Sequence, residues 1–318
     1  AWFNLGMTYN KIGNTDNAIN SFRKAILVNS LYVKAYKELG KALQSKGDYN
    51  GALKAFQDLL KLDMTDLSAL RSIGTIYMYK ADYTNAETYY KKALVYDPHD
   101  SLTNYNLSTA MYGCAKIKDA VKYAQAAVKY APNNAIYLYN YGLLKDLSGD
   151  WEEAISSYIA CLKINPDHVK ANNNLGKLYL DNGLSANALI YLEKAVSLDS
   201  KSFEAVNNLA SAYQSEEEFD LAVKYFIQAQ KLEPHNNTVR MNLCKVYASI
   251  GEYDKAKTLY LEVLQSDPTI NEAYLELAKV FLALQENKNA EKYLIALQAK
   301  DTTYEAAQVA DLLNQISQ

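Results

Sequence analysis

The feature that most limits the fold of this 318-residue chain is a period of 34. In rows of that length, Ala18, Ala52, Ala86, Ala120, Ala154, Ala188, Ala222, Ala256 and Ala290 share one column through nine rows without an insertion. Thirteen residues earlier stands a large apolar column: Leu5, Leu39, Ile73, Leu107, Tyr141, Leu175, Leu209, Leu243 and Leu277. The next column is small throughout, with Gly6, Gly40, Gly74, Ser108, Gly142, Gly176, Ala210, Cys244 and Ala278. All five prolines, Pro98, Pro132, Pro166, Pro234 and Pro268, align as well. A fixed period of this size identifies an array of supersecondary units, each burying its apolar face against its neighbours.

Each row reads as two amphipathic helices. In the fifth, Leu138, Tyr141, Gly142 and Lys145 recur at spacings of three and four, which places them on one helical face. Ser148-Gly149-Asp150 breaks that helix, and a second stripe follows through Ala154, Ile155, Tyr158, Cys161 and Leu162. Asn165-Pro166 stops it, since proline disfavours helical geometry in the residue before it and lacks the next donor. The small column lets two helices approach closely, and the alanine column fills the facing position, so neither tolerates bulk.

These columns resemble the tetratricopeptide repeat family. Its pattern is matched in the first row by Trp2, Leu5, Gly6, Tyr9, Gly13, Ala18, Phe22 and Ala25. The third row matches with Ile73, Gly74, Tyr77, Tyr83, Ala86, Tyr90, Ala93 and Pro98, the eighth with Leu243, Tyr247, Gly251, Tyr253, Ala256, Tyr260 and Pro268. Row four departs most, with Asn104, Met111 and Ala124 where large residues are usual. The strict period also disfavours the related RNA-binding helical repeats, which are one residue longer. The resemblance implies an all-α, right-handed superhelical solenoid of nine hairpins over 1–302. Residues 303–318 are expected to form a capping helix with Ala306, Val309, Ala310 and Leu313 on its packed face. A cap at this end, none before Ala1 and no initial Met lead to the expectation of missing upstream sequence and no fused C-terminal catalytic domain.

With the large apolar column counted as position seven, the core side of each first helix takes positions four, seven, eight and eleven. At 100° per residue, positions two, five, six, nine and thirteen gather on the opposite face. The resemblance makes that face the wall of a groove. Position six carries asparagine in five consecutive rows: Asn106, Asn140, Asn174, Asn208 and Asn242. Packing does not require this mediocre helix former, whereas an amide can donate to and accept from a peptide backbone without reading its side chains. A similar asparagine ladder occurs in the tetratricopeptide region of O-GlcNAc transferase. The same face carries Tyr79, Tyr105, Tyr112 and Tyr139 beside Leu102, Ile136 and Leu143, then Lys170, Asn173, Lys177, Asn207 and Lys245. Of 28 tyrosines, those at groove positions are the candidate recognition anchors, because tyrosine dominates binding energy when desolvated. A carboxylate clamp of the kind chaperone-binding members use is not expected: Lys37 is followed by Lys41, and Ser72 stands where asparagine is needed.

The remaining residues point away from catalysis. His99, His168 and His235 each follow a repeat-ending proline in separate loops, which does not suit a shared metal, and solvation is expected of them. Cys161 and Cys244 stand in small core columns, and three cysteines are too few for a disulfide-stapled fold. There is no P-loop, dinucleotide fingerprint, HExxH or nucleophile elbow. A net charge of −3 gives no nucleic-acid footprint, and no apolar run is long enough to span a membrane. The expected role is a non-enzymatic scaffold or adaptor without cofactor, holding an extended or helical segment of a protein partner, within a larger complex or as the substrate-recruiting arm of an enzyme such as a glycosyltransferase. The expected compartment is the cytoplasm, or the cell envelope if a leader has been removed.

Overall fold

The computed structural model describes residues 1–317. Its packing forms two compact units, Ala1–Ile164 and Asn165 onward. The first contains five antiparallel hairpins. They are α1 (Trp2–Lys11) with α2 (Thr15–Val28), α3 (Val33–Lys46) with α4 (Tyr49–Leu62), α5 (Leu67–Tyr79) with α6 (Tyr83–Tyr96), α7 (Ser101–Gly113) with α8 (Ile117–Tyr130), and α9 (Ala135–Leu147) with α10 (Trp151–Ile164). The second contains α11 (Val169–Asp181) with α12 (Ser185–Leu198), α13 (Phe203–Ser215) with α14 (Phe219–Leu232), α15 (Asn237–Ser249) with α16 (Tyr253–Ser266), α17 (Asn271–Ala283) with α18 (Asn287–Lys300), and a final α19 (Ala306–Ser317). No strand occurs among the described residues. The all-α, hairpin-repeat reading of the sequence is the architecture found.

Within each hairpin the small column does what its size allows. A Cβ built on Gly74 would lie 2.6 Å from the Tyr90 ring, and one on Gly142 would lie 2.9 Å from Tyr158. The alanines of the aligned column, Ala18 through Ala290, are all fully buried. Tyrosine rings stack across the hairpins, with centroids 5.7 Å apart for Tyr77–Tyr89, 5.8 Å for Tyr179–Tyr191 and 5.6 Å for Tyr213–Tyr225. Much of the tyrosine content therefore serves packing, an offset arrangement that aromatic pairs favour.

The turn inside every repeat places one residue in the left-handed region. Five repeats use glycine there (Gly13, Gly47, Gly149, Gly183, Gly251), but Ala81, Ala115, Glu217 and Gln285 adopt φ of 55°, 58°, 60° and 62° at the equivalent position. The left-handed conformation costs an L-residue with a Cβ roughly 1–2 kcal/mol.

Row four closes in its own way. Asn104 is buried, and its Nδ2 donates to the carbonyls of Pro98 (3.1 Å) and Asp100 (2.9 Å). Asn172 does the same in the second unit, donating to Pro166 (3.0 Å) and His168 (3.2 Å). A polar residue at this core-side position is thus a clasp on the preceding loop. Ser108 replaces the usual glycine, Ala124 replaces the usual ring, and Met111 is buried beside them.

The terminal helix lies a little differently from the sequence expectation. Val309 is buried, and Leu312, Leu313 and Ile316 are half-buried against the α15–α18 core, whereas Ala306 and Ala310 are exposed. The packed stripe is set by the large side chains, which have more apolar area to remove from water than a methyl group. Gln318 lies outside the described residues.

Two outcomes follow. Ala81→Gly and Ala115→Gly should each raise stability in urea by about 0.5–1 kcal/mol, the conformational relief less the extra entropy of an unfolded glycine. Ala154→Leu should cost about 1–3 kcal/mol by overpacking, with faster hydrogen exchange confined to the fifth hairpin and its neighbours.

Candidate functional site

In the first unit, the outer face of the first helices carries the residues singled out from the sequence. Leu102, Tyr112 and Ile136 are 43%, 46% and 56% exposed, and Tyr79 is 67% exposed while stacking on Tyr49 at 5.6 Å. Tyr105 and Tyr139 are half-buried: Tyr105 stacks on Tyr137 across to the next repeat (4.9 Å), and Tyr139 leans on Tyr158 (6.0 Å). Asn106 and Asn140 are half-buried between them. Asn140 Nδ2 donates to Ser108 Oγ at 2.9 Å, so this asparagine joins α9 to α7. Ser108 in turn donates to the Tyr105 carbonyl at 2.7 Å.

Around α7 this face has little free charge, whereas Lys11 of α1 and Lys34 of α3 are exposed and form no ion pair among the described residues. Helix α7 contains no ionisable acid or base. Arg71 of α5 is tied to Asp100 at 2.8 Å. Lys145 of α9 lies on the core side, paired with Asp150 (2.9 Å) and Glu153 (2.6 Å). Those two carboxylates raise the Lys145 pKa. Burial, together with the hydrogen bond to Glu153, pushes the Tyr141 hydroxyl up to about 12. What remains exposed around α7 is ring, aliphatic carbon and amide.

The second unit presents a different chemistry on its first helices. Asn173, Asn174, Asn207, Asn208 and Asn242 are all half-buried. Asn208 Nδ2 donates to Asn173 Oδ1 (3.0 Å) across one repeat, and Asn173 Nδ2 donates to Asn174 Oδ1 (3.3 Å). Asn207 Oδ1 is shielded and has no partner among the described residues. Lys177 pairs with Asp181, and Lys245 pairs with Glu272 at 2.7 Å. The asparagines are thus partly inter-repeat fasteners, a role the sequence column did not disclose.

Lys37, the lysine nearest a clamp pattern, is held by Asp66 at 2.9 Å. No group of three or more potential metal-ligating side chains occurs among the described residues, and no helix is long and apolar enough to cross a membrane.

Solvated loops were expected for all three histidines, and one departs from this. His99 and His235 are exposed, His99 resting on Tyr130 at 4.7 Å. His168 is half-buried and caps α11, its Nδ1 accepting from the Ala171 amide at 3.1 Å. Its column explains this, since Asp66, Asp100, Asn134, Ser202 and Asn236 cap the equivalent helices.

The nine hairpins, their helix-pairing columns and the amide-bearing first-helix faces define an all-α repeat protein of the tetratricopeptide class. Sequence profiles described as "TPR repeat" or "Tetratricopeptide repeat" match residues 1–30, 33–66, 68–100, 147–183, 169–202, 213–271 and 245–305. The chain belongs to the tetratricopeptide repeat family, and as such it is a protein–protein interaction scaffold. The stretch 101–146 between the matched ranges includes row four, where the family pattern is most altered. Among solved structures, YrrB, described as a TPR protein with an unusual peptide-binding site, is 27% identical, with a TM-score of 0.53 over 58% of this chain and 95% of its own. MamA is 28% identical, with a TM-score of 0.50 over 53% and 92%. A tetratricopeptide repeat protein from Parabacteroides merdae ATCC 43184 shares the fold at 20% identity, with a TM-score of 0.56 over 79% and 99%. No curated protein matches the sequence.

Burial pushes the His168 pKa below its ordinary 6.5. The folded state therefore prefers neutral imidazole, and its contribution is complete above the unfolded value and lost as pH falls through the folded one. The His168→Asn variant keeps a capping acceptor without a proton to gain. Urea denaturation at about pH 7.5 and about pH 5 should show wild type losing more stability than the variant on acidification.

Proposed function

We propose that this protein is a non-enzymatic adaptor that holds an extended segment of a partner protein along the first helices. The single observation behind this reading is the exposed, charge-poor run of Leu102, Tyr112 and Ile136 beside half-buried Tyr105 and Tyr139. Scattered apolar residues need no explanation, but a contiguous apolar and aromatic face on a soluble helix stack marks an interaction site. The peptide-binding site named for YrrB, at 27% identity, supports the same assignment.

The partner segment over α7 is apolar and uncharged, because a carboxylate or ammonium there would be desolvated with no counter-charge on that helix to meet it. In the second unit the amides of Asn173, Asn174, Asn207 and Asn208 suit a peptide backbone. The unmatched Asn207 Oδ1 supplies an acceptor, and satisfying a shielded acceptor recovers about 1–3 kcal/mol of desolvation cost. Reorientation of that amide toward an incoming N–H is part of the proposal.

The test begins with a partner captured from the source cell and identified by mass spectrometry, followed by calorimetric titration. Tyr112→Ala with Ile136→Ala should weaken binding by about 2 kcal/mol or more while the melting temperature stays close to wild type, since both residues are exposed. Asn140→Ala should lower stability by about 0.5–1.5 kcal/mol through the lost Ser108 bond. Normal binding by the double variant, together with loss in the second-helix variant Lys118→Ala, would place the function elsewhere.

A further inference from the structure

The second helices of the first unit form a surface that the reading above does not use. Two clefts of about 440 and 430 Å³ open there, related by one repeat. One lies between α2 and α4, floored by Ile26, Leu39 and Leu43 and rimmed by Arg23 and Lys54. The other lies between α4 and α6, floored by Leu60, Leu70 and Tyr89 and rimmed by Lys61 and Lys92. Beside them stand Leu27, Val28, Met64 and Val95, exposed at 85%, 76%, 69% and 75%. These are values for side chains with almost no cover.

The two clefts are lined by four cations, Arg23, Lys54, Lys61 and Lys92, against one carboxylate, Asp58. Helices α2, α4, α6 and α8 carry nine basic side chains against four acidic ones, and the first helices α1, α3, α5, α7 and α9 carry seven against two. The excess therefore belongs to the unit, while the cleft rims place part of it beside apolar hollows. Some of these cations are engaged: Lys61 with Asp58 (2.6 Å), Lys91 with Glu87 (2.6 Å), and Lys24 over the Trp2 ring (4.4 Å). Arg23, Lys54 and Lys92 make no ion pair among the described residues, Lys92 lying over the Tyr89 ring at 4.8 Å. The equivalent cleft of the second unit, between α14 and α16, is lined by one cation, Lys255, and one carboxylate, Asp254, whereas the cleft between α2 and α4 has two cations, Arg23 and Lys54, against Asp58. The cleft is a product of the repeat; its positive rim belongs to the first unit.

We infer that the clefts between α2, α4 and α6 are a second docking site, for an acidic protein segment carrying large apolar side chains. The concavity favours a peptide over a flat lipid surface. Each cleft is a half-open hollow of a size that seats a bulky group, and cations at its lip meet flanking carboxylates. Complementary charge of this kind steers encounter and fixes register, while the buried apolar anchor carries most of the affinity.

The experiment selects a displayed random-peptide library on the intact chain and measures recovered peptides by fluorescence anisotropy. Peptides combining Asp or Glu with Leu, Phe or Trp should be enriched. Their affinity should fall about tenfold or more in Lys54→Glu with Lys92→Glu, and in Leu27→Ser with Val95→Ser. It should weaken as NaCl rises from about 0.05 to about 0.3 M and be unchanged by Tyr112→Ala with Ile136→Ala. All four sites are exposed, so circular-dichroism melts of the variants should match wild type. Enrichment without acidic residues, or binding indifferent to the cleft variants, overturns the proposal. So does binding to phosphatidylglycerol vesicles that the same variants abolish when no peptide is enriched, which would make this a lipid-facing surface.

Discussion

The structure depends on the close approach of two helices inside each repeat, made possible where a side chain is missing. A phenylalanine, tyrosine or leucine of the second helix lies over a glycine of the first: Phe22 on Gly6, Phe56 on Gly40, Tyr90 on Gly74, Tyr158 on Gly142, Leu192 on Gly176. The fully buried alanine column lets the same pair close from the other side. Close packing leaves no room for even one added methylene without strain. Once the hairpin is set, its two outer faces are fixed in direction, and the repeat multiplies both.

Row four shows what happens when that contact is given up. Ser108 and Ala124 exchange the glycine–ring pair for a small pair, Met111 fills the space, and the serine hydroxyl becomes a polar joint to Tyr105 and Asn140. The departure from the family pattern coincides with the exposed Tyr112 and Leu102 on the same helix, α7, which has no charge of its own. The local packing rule is relaxed where the surface is most unusual, a pairing expected when function and fold compete for the same residues.

Both faces of the first unit carry more cations than carboxylates, and they differ in what surrounds those cations. On the first helices of the first unit, Arg71 is paired with Asp100 and Lys145 with Asp150 and Glu153, while exposed Lys11 and Lys34 form no ion pair among the described residues. On the second helices, Arg23, Lys54 and Lys92 form no ion pair among the described residues. An exposed pair contributes little to stability, so the arrangement matters more for what approaches each face than for holding the hairpins together.

The repeat count, the helix pairs, the small and large core columns and the first-helix face were all legible in the sequence, because a period of 34 and a helical period of 3.6 are properties of residue order alone. Tertiary structure decided what depends on which side chain meets which across a seam. Asn140 and Asn208, alike in their column, serve as inter-repeat donors because Ser108 and Asn173 come within reach. His168 looks like a loop residue until its Nδ1 is seen capping α11. Asn104 looks like a fault in a core column until the carbonyls of Pro98 and Asp100 take up its amide. The cap stripe kept Val309 and Leu313 of the expected face but took Leu312 and Ile316 in place of Ala306 and Ala310, because buried area, not position in a pattern, selects the packed face. Periodicity gives the direction of a side chain; only the folded chain gives its partner.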